Sequence, residues 1–366
     1  MFRYVENTRV PKIVRLWLIT GLVMIFFQII IGGVTRLTGS GLSITRWEVV
    51  TGTVPPLSAE AWEEAFDLYK ATPQYQKINQ GISLSDFKFI YFWEYFHRLW
   101  ARLMFFVFII PFAWFLWRGM FSRPLVPRLV VVVLLAGLEG FFGWAMVASG
   151  LIERPWVNAY NLTLHLCMAL VIFCYLLWTT FVAFNLKHSV FHNRMLARFS
   201  WFLFLLTFVQ IAFGALMSGT KAGLFYPTWP AMQGGFVPSI LLDFSQWKLD
   251  SFAAYDSNPF MPALIQFLHR NTAYLLTIIV LYFSWRVIRL EISVQLRKGI
   301  MFMLCALFLQ ITLGILTLIN CIGQIPVVLG VLHQAGAVLL LSAVLYVTYL
   351  LNCGKADMNV EKAGDS

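Results

Sequence analysis

Charged residues are scarce in this chain. Of its 366 residues only 12% are Asp, Glu, Lys or Arg, and 17 of these are acidic, against 60% apolar residues. With a mean hydropathy of +0.75, that scarcity excludes a soluble globular domain and places the chain in the polytopic membrane class. Cysteine is scarce too. Cys167, Cys174 and Cys305 fall within apolar runs, Cys321 near the end of one and Cys353 in the tail. No connection holds two of them, which excludes a loop disulfide or a CxxC metal or redox motif. No small-residue cleavage site follows a short apolar core near the amino terminus, so the first apolar run reads as a retained span.

What the chain does have is eight apolar stretches, at 13–34, 89–117, 126–148, 158–184, 199–219, 263–286, 299–321 and 328–351. Each approaches or exceeds the ~20 residues that a helix needs to cross ~30 Å of hydrocarbon. The expected fold class is therefore an all-α polytopic membrane protein of eight transmembrane helices. The formal charge of +10 raises the question of nucleic-acid binding, but the basic residues lie where they set topology. Arg3, Arg9, Lys12 and Arg15 precede the first span. Arg118, Arg123 and Arg128 join the second and third, Lys187, Arg194 and Arg198 the fourth and fifth, and Arg286, Arg289, Arg297 and Lys298 the sixth and seventh. By the positive-inside rule these segments and both termini are expected to be cytoplasmic. The connections with few basic residues, including Glu153 with Arg154 and the stretch from Ile322 to Pro326, are expected outside. So are the two long connections, 36–88 and 220–262. The partner implied is a lipid bilayer, not nucleic acid.

Four of the six histidines form two matched pairs. His97, in Glu94-Tyr95-Phe96-His97-Arg98, is answered by His269 in Gln266-Phe267-Leu268-His269-Arg270. His165, in Asn161-Leu162-Thr163-Leu164-His165, is answered by His333 in Gly330-Val331-Leu332-His333-Gln334. The correspondence extends further: Gln28-Ile29-Ile30-Ile31-Gly32 matches Gln210-Ile211-Ala212-Phe213-Gly214, and Leu138-Glu139 with Gly143 matches Leu309-Gln310 with Gly314. Trp47, Gly52 and Pro56 match Trp229, Gly234 and Pro238 at a constant offset. An internal duplication is the reading, with an amino-terminal four-helix bundle over 1–190 and a carboxyl-terminal one over 191–366. An even number of spans per half makes them parallel repeats related by a pseudo-twofold along the membrane normal.

An imidazole in an apolar span is costly unless something engages it. Two opposed imidazoles inside a four-helix bundle suit a haem iron held from both axial sides. The four are expected ~8–12 Å below the outer helix ends. Gly32, Gly33, Gly143, Gly214 and Gly314 would let a flat ring approach, or would serve close helix packing. Arg98, Arg270 and Arg36 would meet propionates or pack at the interface. A zinc site would need further Cys, His or carboxylate ligands beside each pair, and the carboxyl-terminal half offers none near His269 and His333. His188 and His192, in a basic connection, read as ordinary solvated residues. The halves differ at one chemically loaded position, where Glu94 becomes Gln266. This suggests that proton-linked chemistry belongs to the amino-terminal half, with an i,i+4 pair to Arg98 as the competing account. Glu139, which becomes Gln310, fits either a helix-to-helix hydrogen bond or a proton path.

These features together resemble the haem A synthase family, in the branch found in alphaproteobacteria and mitochondria. The resemblance runs from the first span to the last. It is carried by Gly32-Gly33-Val34-Thr35-Arg36-Leu37-Thr38-Gly39-Ser40-Gly41-Leu42-Ser43, the loop from Trp47 to Pro56, Glu94-x-x-His97-Arg98, Tyr226-Pro227-Thr228-Trp229-Pro230 with Met232, and the four histidines. It implies oxidation of the C8 methyl of haem O to a formyl group, giving haem A for cytochrome c oxidase. On that pattern His97 and His165 hold the substrate haem beside Glu94 as a catalytic carboxylate, and His269 and His333 hold the iron of a resident haem b. The chain departs from the Gram-positive branch in having no cysteine between Arg36 and Lys88, so a mechanism through those thiols is not carried over. The implied setting is a bacterial inner membrane with the haem sites toward the periplasm. The implied partners are an electron donor, ferredoxin-like or a quinol, and a haem O synthase that supplies substrate; a homo-oligomer is compatible with all of this. Two other readings compete with the enzyme: a di-haem b electron carrier, and a haem transport or delivery protein.

Overall fold

The computed structural model describes residues 10–46, 53–151, 154–184 and 193–352. Arg3, Arg9, Trp47, Gly52, Glu153, Lys187, His188, His192 and Cys353 lie outside the described residues. The described chain is almost entirely helical. Eight of its helices are long and apolar enough to cross a membrane: α1 (Lys12–Leu37), α4 (Leu84–Trp117), α5 (Leu125–Gly150), α6 (Ala159–Ala183), α7 (Arg194–Gly219), α9 (Phe260–Ile288), α10 (Val294–Ile319) and α11 (Val327–Asn352). Three short helices lie in the long connections: α2 (Ala59–Lys70), α3 (Pro73–Lys77) and α8 (Leu249–Ala253).

All eight expected spans are present, and several begin earlier than hydropathy suggests. The reason is capping. Ser83 and Asp86 form a reciprocal capping box that starts α4 at Leu84, ahead of its apolar stretch, so His97 sits deeper in its helix than expected. Asn193 caps α7 and Ser293 caps α10 through side-chain acceptors, satisfying amide donors that the first turn leaves orphaned.

Packing divides the chain into two compact units, Met1–Phe173 and Cys174–Ser366. In unit one, α1 packs along α4. Two indoles tie the pair: Trp17 donates to the Val107 carbonyl and Trp100 to that of Met24, each at 3.0 Å. Within a span an indole N–H needs such a partner, because lipid offers none. Above the pair, α2 and α3 gather Phe66, Tyr69, Phe87 and Ile90 into a small apolar cap.

In unit two, α7 packs against both α9 and α11, and α10 packs against the same two. That arrangement sets α9 and α11 across the bundle from each other. Leu203, Val280, Phe283, Ile300, Met303 and Val344 fill its core, and the connection after α7 is seated on α9 by a cluster around Leu241, Phe260 and Leu264.

Candidate functional site

Each of the four histidines meets the same local frame on a neighbouring helix. In unit two, His269 of α9 faces Gly214 of α7, where a Cβ would lie 3.1 Å from the ring, and His333 of α11 faces Gly314 of α10, where it would lie 2.8 Å away. In unit one, His97 of α4 faces Gly32 of α1 at 3.2 Å, and His165 of α6 faces Gly143 of α5 at 3.1 Å. A methyl would collide with the ring at Gly314 and crowd it at the other three, where the imidazole would have to give by a few tenths of an ångström. The glycines thus admit the imidazoles themselves, a more specific role than the ring approach or helix packing expected of them.

One helical turn before each glycine stands a polar side chain directed at the same imidazole. The Gln210 amide donates to the His269 carbonyl at 2.9 Å and lies 3.1 Å from Nδ1. That of Gln310 lies 3.4 Å from His333 Nε2. Gln28 Nε2 lies 2.9 Å from His97 Nε2 and donates to the His97 carbonyl at 3.3 Å. In the fourth copy the partner is a carboxylate: Glu139 Oε1 lies 3.0 Å from His165 Nδ1. A Gln/Glu-x-x-x-Gly element therefore recurs in α1, α5, α7 and α10. The matching segments were visible as a sign of duplication; that they serve the histidines emerges only when the helices are paired.

The two imidazoles of unit two face each other across the bundle, with ring centroids 6.4 Å apart and planes at 84°. That spacing leaves room for one metal ion between the two rings, so the residues present suit a haem iron. Buried polar atoms around the rings agree with a missing polar partner, since Gln310 Oε1, Gln210 Oε1 and His333 Nδ1 have no hydrogen bond. His97 and His165 of unit one lie within electrostatic range of each other. Among the described residues no three His, Cys, Asp or Glu side chains converge as a simple metal site would require.

The carboxylate and arginine residues bind the long connections down onto the histidine helices. Glu94 is 3% exposed. Its Oε2 accepts from Ser43 Oγ and the Ile44 amide, both at 2.8 Å, and its Oε1 pairs with Arg98. Arg98 also donates to the Ile44 carbonyl at 3.3 Å. In unit two Gln266 donates to the Tyr226 carbonyl at 2.7 Å, and the Arg270 guanidinium to the carbonyls of Pro230 at 2.8 Å and Thr228 at 2.7 Å. Arg36 stands half-buried in the last turn of α1. Sequence reasoning singled out Glu94, Arg98 and Arg270 and missed their loop partners, which no spacing rule reveals. Cys167, Cys174, Cys305 and Cys321 are free thiols.

Comparison with known proteins agrees with this geometry. A family model described as cytochrome oxidase assembly protein matches residues 15–345. Relatives named heme A synthase include that of Bradyrhizobium diazoefficiens, 42% identical over 90% of this chain and 89% of its own. That of Nitrosospira multiformis is 40% identical over 94% and 95%, and that of Flavobacterium psychrophilum 39% identical over 92% and 97%. With a family match across almost all of its spans, the chain belongs to the haem A synthase family of cytochrome oxidase assembly proteins.

Proposed function

We propose that the protein oxidises the C8 methyl group of haem O to a formyl group, with His97 and His165 of unit one holding the substrate and His269 and His333 of unit two holding a resident haem b. The observation that carries this reading is the fourfold frame, in which two imidazoles per unit are each seated on a glycine and backed by a polar side chain. The resident haem, when bound, supplies one-electron transfer between a donor, ferredoxin-like or a quinol, and the substrate site. Each hydroxylation replaces a C–H bond by C–OH with dioxygen as oxidant, one oxygen atom entering the methyl group and the other leaving as water after taking two electrons from the donor and two protons. The second round gives an aldehyde hydrate, which loses water to the formyl group. Protons must move at each of these stages.

Glu94 is the acid–base group of this reading. Its Oε2 is held by Ser43 and Ile44, so proton exchange at that oxygen requires the segment to lift. The loop and the carboxylate act as one device. Arg98 pairs with Glu94 while the segment is closed. Arg36 and Arg98 are the unit-one cations nearest in sequence to the site for propionate recognition. Arg270, with its guanidinium on two loop carbonyls, secures the unit-two connection.

By the positive-inside rule the basic connections favour termini on the cytoplasmic side. The histidine ends of the helices then face the periplasm of a bacterial inner membrane, where a haem O synthase in the same bilayer can deliver substrate. The test is to express the chain in a host lacking its own haem A synthase, extract the haems and separate them by chromatography. Haem A is the expected product. Haem b and haem O alone, at normal protein level, would reduce the chain to a di-haem carrier or a haem delivery protein.

A further inference from the structure

The four copies of the frame are alike except in one side chain. Gln28, Gln210 and Gln310 are amides, and Glu139 is a carboxylate in contact with His165 Nδ1 at 3.0 Å. We propose that Glu139 is a positioning residue that makes His165 the anchored ligand of the substrate iron, and that His97, backed by Gln28, is the ligand that yields. This rests on the assignment of His97 and His165 to the substrate haem.

The argument begins with donors and acceptors. Glu139 Oε1 lies 3.0 Å from His165 Nδ1, at ion-pair distance but out of hydrogen-bond alignment in this structure. A small turn of the ring onto iron would let the carboxylate oxygen accept from Nδ1–H and leave the Nε2 lone pair for the metal. A carboxylate partner also makes the imidazole a stronger ligand. Gln28 does the reverse at His97. Its side-chain nitrogen donates to the His97 carbonyl at 3.3 Å and lies 2.9 Å from Nε2. Because that nitrogen can only donate, Nε2 is the acceptor. The lone pair that would bind iron therefore has a second partner waiting, and a released His97 ring is caught, not left unpaired in the span.

A turnover site needs this imbalance and a resident site does not. Substrate must enter unit one and product must leave it, and each exchange breaks both axial bonds. One firm ligand and one yielding ligand let the haem be captured first on α6 and closed afterwards by α4. In unit two both partners are amides, Gln210 at 3.1 Å from His269 Nδ1 and Gln310 at 3.4 Å from His333 Nε2, and neither histidine has a carboxylate to anchor it, as suits a haem that stays.

The test uses the full chain purified in detergent and loaded with haem O, with the unit-two haem b as internal standard of folding. Haem content, carbon monoxide binding to the reduced protein and midpoint potentials are read. His165→Ala is expected to lose the unit-one haem. His97→Ala is expected to keep it in a form that binds carbon monoxide. Glu139→Gln, which copies the other three frames and so tolerates the packing, should raise the midpoint potential of the unit-one haem and leave that of haem b unmoved. Combined with His97→Ala, it should weaken retention of the unit-one haem by about 10–100-fold, the range for loss of such a partner. Equal loss in His97→Ala and His165→Ala, or an unmoved unit-one potential in Glu139→Gln, overturns the proposal. If both histidine variants keep two haems, the assignment of the pair to substrate fails, and this proposal fails with it.

Discussion

The two histidine sites have one frame and different charge. In unit two every side chain that backs an imidazole or precedes a ligand by one turn is neutral: Gln210, Gln310 and Gln266. In unit one the corresponding positions hold Gln28, Glu139 and Glu94, two carboxylates among three. A carboxylate in a span is expensive, and the amide in the other copy shows that the helices pack without it. The two units thus share the same histidine frame and differ in that the carboxylates stand in one of them. On the proposed reading, haem binding would use the frame and haem chemistry the charge.

The most severe way to break the comparison is to remove a ligand from one side of it. His333→Ala should abolish the low-spin haem b spectrum of unit two and leave the unit-one haem in place, because each iron face depends on one imidazole. Haem A production should fall with it. A full haem b spectrum in this variant would mean that the carboxyl-terminal pair is not the cofactor site.

Glu94→Gln sharpens the comparison by making unit one resemble unit two. Gln266 sits one turn before His269 and donates to a loop carbonyl, so glutamine is compatible with the local helix. It cannot take or give a proton. Haem loading should stay near normal while formation of haem A drops by about 10²-fold or more, the usual scale for loss of a general acid or base. Haem O or its hydroxylated product should accumulate in extracts. A wild-type haem A share at equal protein level would make Glu94 purely a latch for Ser43, Ile44 and Arg98.

The spans, the duplication and the four histidines were legible in the sequence because each is a periodic or repeated signal. Helix starts were less so, since Ser83 with Asp86 begins α4 ahead of its apolar stretch. The partners of Glu94 and Arg270 were not legible at all. They are backbone groups of Ile44, Thr228 and Pro230, and a carbonyl carries no residue signature. Gln28 and Gln210 stood in plain view as matching residues, but their role depends on which helix lies beside which. A carboxylate in the fourth copy, Glu139, was visible as an oddity whose partner only the fold supplies.

A smaller effect tests the frame without touching its polar groups. An alanine methyl in place of Gly314 would lie 2.8 Å from the His333 ring, closer than the 3.2 Å at Gly32 beside His97. Overpacking of this kind costs about 1–3 kcal/mol, here spent on turning the imidazole. Gly314→Ala should therefore lower the haem content of unit two more than Gly32→Ala lowers that of unit one, as measured by haem per protein. Normal loading in Gly314→Ala would show that the glycine serves helix packing and not the ligand.

The smallest effect concerns the two long connections, which are secured by different chemistry. In unit two the guanidinium of Arg270 grips backbone carbonyls, acceptors that do not titrate. In unit one the cap depends on Tyr69, whose ring is fully buried against Phe87 at 5.2 Å. Its hydroxyl donates to Gln74 Oε1 at 3.1 Å and accepts from Asn79 at 2.7 Å. Burial pushes this phenol from 10.0 up to about 12. A pKa raised in the folded state means that its contribution is intact below about 10, where an exposed tyrosine begins to ionise. That contribution is lost as pH climbs toward 12. Between these values the cap around α2 and α3 should loosen and become sensitive to protease, whereas the grip of Arg270 on the Thr228 and Pro230 carbonyls offers no acceptor that ionises. Tyr69→Phe should give up about 1 kcal/mol of hydrogen bonding at neutral pH and abolish the alkaline step. An alkaline step that persists in Tyr69→Phe would assign it to another group and leave the two connections electrostatically alike.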